Sequence, residues 1–518
     1  MKLSTRLPLL AALPVVLLIG CNDFLAEQPE DFLSPDNFPV TEADLRLALG
    51  GIDNWYTGGT NQPYFIRGWP MITEVPSDQT VYQRPTDPTR YEQDTYTFTP
   101  ANEWLWRVWR QIYGAINQAN IIIERIPQMT AVPQAVKNRY LGAAKFHRAF
   151  NHFNAARVWG SVPLMLAPMT DFAQAAAVTR APIADVYAAI AADLEEAATL
   201  LPLRWPDSAT PDDGRPTQGA AYAMLADAYM NMSGVLVNQN RWADAARAAK
   251  AVIDSGRYSL VPNFADLWLI RNKNGPEHIY SIQFQGTQRN LFTCQSRPMG
   301  IGVESCSNYW YSTDAFMNTF SNADARKQPT FLTRVNVPLG CTTGAPGCTT
   351  YRYDTLPGFF GDKRTRGVGF EQPMPYYGKF FDANGSIQNS QNQRTDLNWP
   401  IYRYAEVLLM LAEAENEANG PTGDAYNAIN QVRRRATLPD LTAGLSQAQF
   451  RDSVHWERSW ELAFESKRLF DLKRWGEFYN VLKDDPVAKI GVKPCHVFLP
   501  IPQREIDLAP GLGPNAAC

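Results

Sequence analysis

Three glutamates stand four residues apart in "ERSWELAFESKRLFDLKRW", at Glu457, Glu461 and Glu465. On a helix that spacing puts them along one face. Two carboxylates about 5 Å apart across a cleft would suit retaining glycoside hydrolysis. The same block carries counter-charges: Lys467 and Arg468 follow one turn later, and Asp471 and Arg474 continue the row. Trp456, Trp460 and Phe464 run beside the glutamates as core anchors. The pattern therefore predicts a structural ion-pair network and no catalytic pair. Histidine offers no alternative. His147 and His152 are five residues apart, about 140° around a helix, and share no ligand face. His278, His455 and His496 are isolated in sequence, and "MGIGVES" holds only a lone G-x-G. "DANGSIQNSQNQ" and "PDDGRP" are oxygen-rich turns without the spaced acids of a calcium site. No enzyme activity, metal or cofactor is expected.

Aromatic rings with polar neighbours form the other chemical pattern. A flat ring can cover the C–H face of a sugar while amides, carboxylates and guanidinium groups take its hydroxyls. "YFIRGWPMITEVPSDQ" supplies Arg67, Trp69 and Asp78, and "TPANEWLW" supplies Asn102 and Trp104. "CSNYWYSTDAF" supplies Asn308, Tyr309, Trp310 and Tyr311. A single ring more often packs its own loop, because large aromatics bury most of their surface. Three adjacent rings cannot all point inward, so the run from Tyr309 to Tyr311 is read as a binding platform.

The elements that would carry these residues are mostly helices in pairs. From Trp104 to Ile126, the positions Leu105, Trp109, Ile112, Ile116, Ala119, Ile123 and Ile126 recur at spacings of three and four. Thr99 and Pro100 would cap this helix. A second should run from Pro133 to about Val158, presenting Phe146, Phe150 and Phe153. "APIADVYAAIAADLEEAATLLP", "QGAAYAMLADAYMNMSG", "RWADAARAAKAVIDSG", "YRYAEVLLMLAEAENEANG" and "DAYNAINQVRRRA" continue the arrangement. These units resemble tetratricopeptide repeats with irregular spacing. Residues 51 to 100 and roughly 285 to 400 lack helical period, as binding loops of that length do. "EHIYSIQFQ" alternates like a short strand.

The chain has 518 residues, 45% hydrophobic and 19% charged, with a net charge of −4. No basic footprint points to nucleic acid. Lys2 and Arg6 precede an apolar stretch from Leu7 to Ile19, shorter than the roughly 20 residues of a spanning helix. "LIGC" resembles a bacterial lipoprotein cleavage box, which makes Cys21 the expected acylated N-terminus. Removing Cys21 from the seven cysteines leaves six in three sequence-local couples. The expected bridges are Cys294–Cys306, Cys341–Cys348 and Cys495–Cys518, chosen on sequence locality alone among the 15 connectivities that six cysteines allow, with a zinc site as the rival reading.

Seven blocks, in order, then resemble the SusD/RagB family of outer-membrane nutrient-binding lipoproteins. They are "CNDFLAEQPEDFLSPDNF", "WRQIYGAINQANIIIERI", "AKFHRAFNHFNAARVWGSVPLM", "RYAEVLLMLAEAENEANG", "AINQVRRRA", "ERSWELAFESKRLFDLKRWG" and "FLPIPQREIDLAPGL". His147 departs from the pattern, standing where the family has an aliphatic residue. The resemblance implies a mainly α fold, a tetratricopeptide-like scaffold of helical pairs with long irregular loops and a few short strands. It divides the chain into a signal peptide (1–20), an N-terminal helical region (21–235) and a C-terminal region with ligand-face loops (236–518), the last two packed as one body. It further implies a lipid-anchored protein on the outer membrane, facing the exterior. Such a protein passes an oligosaccharide, or in some members a peptide, to a SusC-type TonB-dependent transporter. A membrane-tethered hydrolase and a helical scaffold that binds only proteins remain the rival readings.

Overall fold

The periodic segments fold as expected, and each packs on its successor. In the computed structural model, the described residues are 38–58, 64–82, 85–208, 213–285, 290–291, 295–296, 309–332, 375–380 and 396–513. The signal segment and Cys21 lie outside them, and so does at least one member of each expected cysteine couple. The main helices are α1 (Glu42–Thr57), α2 (Glu103–Arg125), α3 (Gln134–Trp159), α4 (Ile183–Leu200), α5 (Gln218–Ser233) and α6 (Trp242–Asp254). They continue with α7 (Tyr404–Asn419), α8 (Gly423–Arg435), α9 (Gln447–Glu461) and α10 (Arg468–Trp475). From α1 to α8 every helix lies against the next, which is the tetratricopeptide-like scaffold. Small residues allow the close approach: Ala220, Ala223, Ala226 and Ala228 of α5 are all fully buried. The array runs through the 235/236 boundary, and residues 39–518 form one compact unit.

Polar side chains also tie the helices together. Arg148 of α3 grips Asp193 of α4 through two 2.7 Å bonds and donates to the Asn120 side chain of α2 at 3.0 Å. The departing residue His147 is buried, with its Nδ1 3.0 Å from the Tyr56 hydroxyl. That hydroxyl also accepts from the Asn151 amide. Burial pushes the imidazole pKa down to about 3, which keeps it neutral.

Between α6 and α7 the chain leaves the array for about 150 residues. Strands β2 (His278–Ile282) and β6 (Trp399–Arg403) pair antiparallel and close this excursion, and β6 runs straight into α7. The alternating "EHIYSIQFQ" is thus a strand, as its pattern predicts. Among the described residues, three further short strands lie within the excursion: β3 (Trp310–Ser312), β4 (Phe331–Leu332) and β5 (Tyr376–Tyr377). The last two pair with each other, and β3 pairs with β1 (Thr80–Tyr82) from the other irregular region. Residues 51 to 100 hold more helix than their composition suggests, with α1 reaching Thr57 and short helices at Trp69–Thr73 and Pro88–Thr95.

The glutamate row is a network, but its partners differ from those expected. Helix α9 ends at Glu461; Phe464 and Ser466 take left-handed backbone angles, φ 64° and 56°. A bulky residue there is strained, and stacking on Tyr377 at 3.8 Å holds Phe464 in place. Glu465 returns through this turn to the same cluster. Glu277, Asp324, Glu457, Glu461 and Glu465 meet Arg326, Lys379, Arg403, Arg433 and Arg435. Equal charge of each sign compensates the desolvation of so many ions. Lys467 instead pairs with Glu406 at 2.9 Å and Arg468 with Asp78 at 2.8 Å. The network welds the excursion to α8 and α9.

Candidate ligand-binding groove

Strands β1 and β3 bring the two irregular regions together, with Thr80 opposite Ser312, Val81 opposite Tyr311 and Tyr82 opposite Trp310. Gln79 secures the joint by accepting from the Thr313 amide and the Ser312 hydroxyl, both at 3.1 Å. Thr313 then caps the short helix Asp314–Met317, its side chain accepting from the Phe316 amide. Alternation along β3 sends Trp310 inward and leaves Tyr309 and Tyr311 half-buried.

Beside Tyr311 lies an open groove of about 540 Å³. One wall is Asp78, Val81 and Tyr311; Thr313, Asp314, Phe316 and Thr319 continue it. Trp456 of α9 forms another, and Val481, Asp484, Asp485 and Pro486 close it. Trp456 is 45% exposed, far more than a ring of its size needs to be. It stacks on Trp460 at 5.7 Å with 27° between the planes, and Trp460 donates to the Thr319 hydroxyl. Arg468 clamps the Asp78 carboxylate through Nε and Nη2, at 2.9 and 2.8 Å. The Asp485 carboxylate accepts from the amides of Val487 and Ala488. Burial first, and then the charge of Asp78, raises its pKa against the pull of those amides.

The sequence candidates divide into five sets. Asp78 and Tyr311 line the groove. Arg67, Trp104 and Tyr309 gather on a different cluster: the Arg67 guanidinium is 5.8 Å from the Trp104 ring, and Arg90 lies 5.2 Å from Trp104 and 5.3 Å from Tyr309. Trp104 is 0% exposed, so it offers no free face to a ligand. Trp69 and Trp310 are also core residues; Trp69 stacks on Phe470 at 5.7 Å. Their size, with no polar atom to satisfy beyond one N–H, sends them inward. Asn308 lies outside the described residues.

Asn102 is buried and replaces the expected Thr99–Pro100 cap: its Oδ1 accepts from the Trp104 amide, while Nδ2 donates to the Thr89 carbonyl and Glu92. Asn102→Ala should cost about 1–2 kcal/mol of stability in denaturant unfolding, with ligand affinity retained once the variant is folded. Trp456 was assigned to the core by sequence. Only its reversal relative to the buried Glu457 and Glu461 shows that this face of α9 points outward.

No helix among the described residues is long and apolar enough to cross a membrane. Comparison with known proteins places this architecture. A family model described as the SusD family matches residues 255–516, and a second, described as "Starch-binding associating with outer membrane", matches residues 57–230. The SusD-like protein P25 of Formosa agariphila is 26% identical, with 95% of each chain covered. A SusD-like protein of Bacteroides ovatus is 25% identical over 90% of this chain and 82% of its own. A SusD superfamily protein from Parabacteroides distasonis has the same fold, with a TM-score of 0.76 at 24% identity over 92% of this chain and 98% of its own. A surface glycan-binding protein A from Bacteroides thetaiotaomicron, solved with laminarihexaose, superposes with a TM-score of 0.74 at 21% identity over 92% and 99%. With one family model covering half the chain and the helical array intact from α1 to α8, the chain belongs to the SusD family.

Proposed function

We propose that this protein is a lipid-anchored, exterior-facing outer-membrane lipoprotein that captures an oligosaccharide in the groove and delivers it to a SusC-type TonB-dependent transporter. The observation that carries the reading is the exposed Trp456 ring sharing one open groove with Tyr311, amid carboxylates and hydroxyls. Two rings with acceptors around them suit the apolar faces and hydroxyl edges of sugars. Related folds add support: one is described as a laminarin-binding SusD-like protein, and another was solved with laminarihexaose. Cys21 would be the acylated anchor. Function here is binding and handover, without bond cleavage. Asp78 is committed to Arg468 and Asp485 to a backbone turn, which leaves neither placed as a free acid–base partner.

The test is a screen of the soluble chain beginning at Asn22 against glycan and peptide libraries by calorimetry. Saturable glycan binding is expected, weakened about 30-fold in Trp456→Ala, the loss of roughly 2 kcal/mol that a central anchor carries. Tyr311→Ala should weaken it as well. Peptide binding, or glycan binding indifferent to both rings, would overturn the assignment.

A further inference from the structure

The groove carries a charge pattern as well as an aromatic one. Its described lining includes four carboxylates, Asp78, Asp314, Asp484 and Asp485, and no lysine or arginine. Arg468 meets the Asp78 carboxylate but is not among the lining residues. Asp484 is exposed and Asp485 half-buried, on the segment that follows the Phe478–Leu482 turn. The chain as a whole is only slightly acidic, at −4 over 518 residues; with Asp78 paired to Arg468, the local excess of negative charge rests mainly on Asp484 and Asp485. A cleft lined by one sign of charge focuses its field into the space where a ligand sits. Like charges brought into such a space repel and so suppress the wrong partner.

Resting on the reading of this groove as the glycan site, we infer that it is a charge filter: it admits neutral and amine-bearing oligosaccharides and rejects sulfated or uronic ones. A neutral glycan uses the carboxylates as hydroxyl acceptors. An amine-bearing one gains charge-assisted bonds to the same oxygens. A sulfate or carboxylate on the sugar finds no cation on the described lining and sits against Asp484 and Asp485. The aromatic faces alone select for sugars; the acids select among them.

The probe is a pool of neutral hexasaccharides (laminari-, malto- and mannohexaose), the same pool after sulfation, and the same pool after amination of the 6-position. Affinities are measured with the soluble chain at 20 mM and 300 mM salt. The sulfated pool is expected to bind at least tenfold more weakly than the neutral pool, and the aminated pool at least as tightly. High salt should narrow both gaps. In Asp484→Asn/Asp485→Asn, which keeps the side-chain oxygen of each residue, the ratio of sulfated to neutral affinity should rise at least threefold. Sulfated binding as tight as neutral, and still lost in Trp456→Ala, overturns the filter while leaving the groove as the glycan site. Should no pool bind in a Trp456-dependent way, the groove assignment fails and the filter with it. The salt series on the unmodified chain decides the matter even if the double variant does not fold.

Discussion

Arg403→Met will destabilise the protein by about 3–5 kcal/mol, the usual loss when one partner of a buried ion pair is removed. Arg403 is the last residue of β6, is 1% exposed, and sits at the centre of the acid cluster. Its Nε and Nη2 hold Glu465 at 2.8 Å each, and its Nη1 holds Glu277 at 2.7 Å and Glu461 at 3.0 Å. Burial opposes the positive charge, but Glu465 and Glu461 outweigh it and raise the pKa. Without the guanidinium, Glu461 keeps Arg435 and Arg326, whereas among the described residues Glu465 keeps only Lys379. Adding Glu465→Gln to Arg403→Met should therefore recover part of the loss. Urea unfolding monitored by tryptophan fluorescence reads both effects. A single variant within about 1 kcal/mol of the parent would refute the assignment.

Acid will unfold the protein cooperatively between about pH 4 and pH 2, after a decline in stability that begins near pH 6.5. Burial lowers the pKa of His152, His278, His455 and His496 to about 4 and that of His147 to about 3. The unfolded chain therefore binds protons first as pH falls below about 6.5, and folding loses stability, on the order of 3 kcal/mol per group at the limit. Glu74 is buried too, which raises it to about 7. There the folded chain binds its proton first, which offsets part of the loss as pH falls from about 7 to 4. Below about pH 4 the depressed carboxylates titrate as well. Asp471 then dominates: burial works against its charge, but Arg458 and Arg474 hold it down to about 2. Glu413, Glu461 and Glu465 are depressed likewise by neighbouring cations that outweigh burial. A depressed carboxylate stabilises above its unfolded pKa and loses that contribution as pH falls through its folded value. Near-ultraviolet circular dichroism across pH 8 to 2 reads the curve; a native spectrum at pH 2 would contradict it.

The helices were legible because their apolar positions recur at three and four, and α2 to α8 lie within a few residues of the segments quoted for them. The groove was only partly legible. Asp78 and Tyr311 were named from their loops, but Val481, Asp484 and Asp485 come from a stretch with no distinguishing pattern. Trp456 was hidden by an inversion of the ordinary rule that tryptophan faces in and glutamate out. On α9 the glutamates face in because cations arrive from more than 50 residues away, Arg326 and Arg403 from the excursion. No periodicity on α9 itself announces those partners. Trp69, Trp104 and Trp310 misled for the opposite reason: polar neighbours in sequence are not neighbours of the ring face in space.

The β2–β6 ladder has a consequence for how such a protein can diversify. Both ends of the excursion are fixed by one pair of strands, so the helices do not register how many residues lie between them. Doubling a loop adds only about 0.6 kcal/mol of closure entropy. Insertions and wholesale exchange of recognition loops are thus cheap for the scaffold, on one condition. Arg326 and Lys379 belong to the excursion yet neutralise glutamates on α9 and on the turn after it, and Asp324 braces Arg326 for that task. A transplanted set of loops that arrives without those three residues would leave buried glutamates uncompensated, so lineages can trade specificities freely only while that small set of charges travels with them.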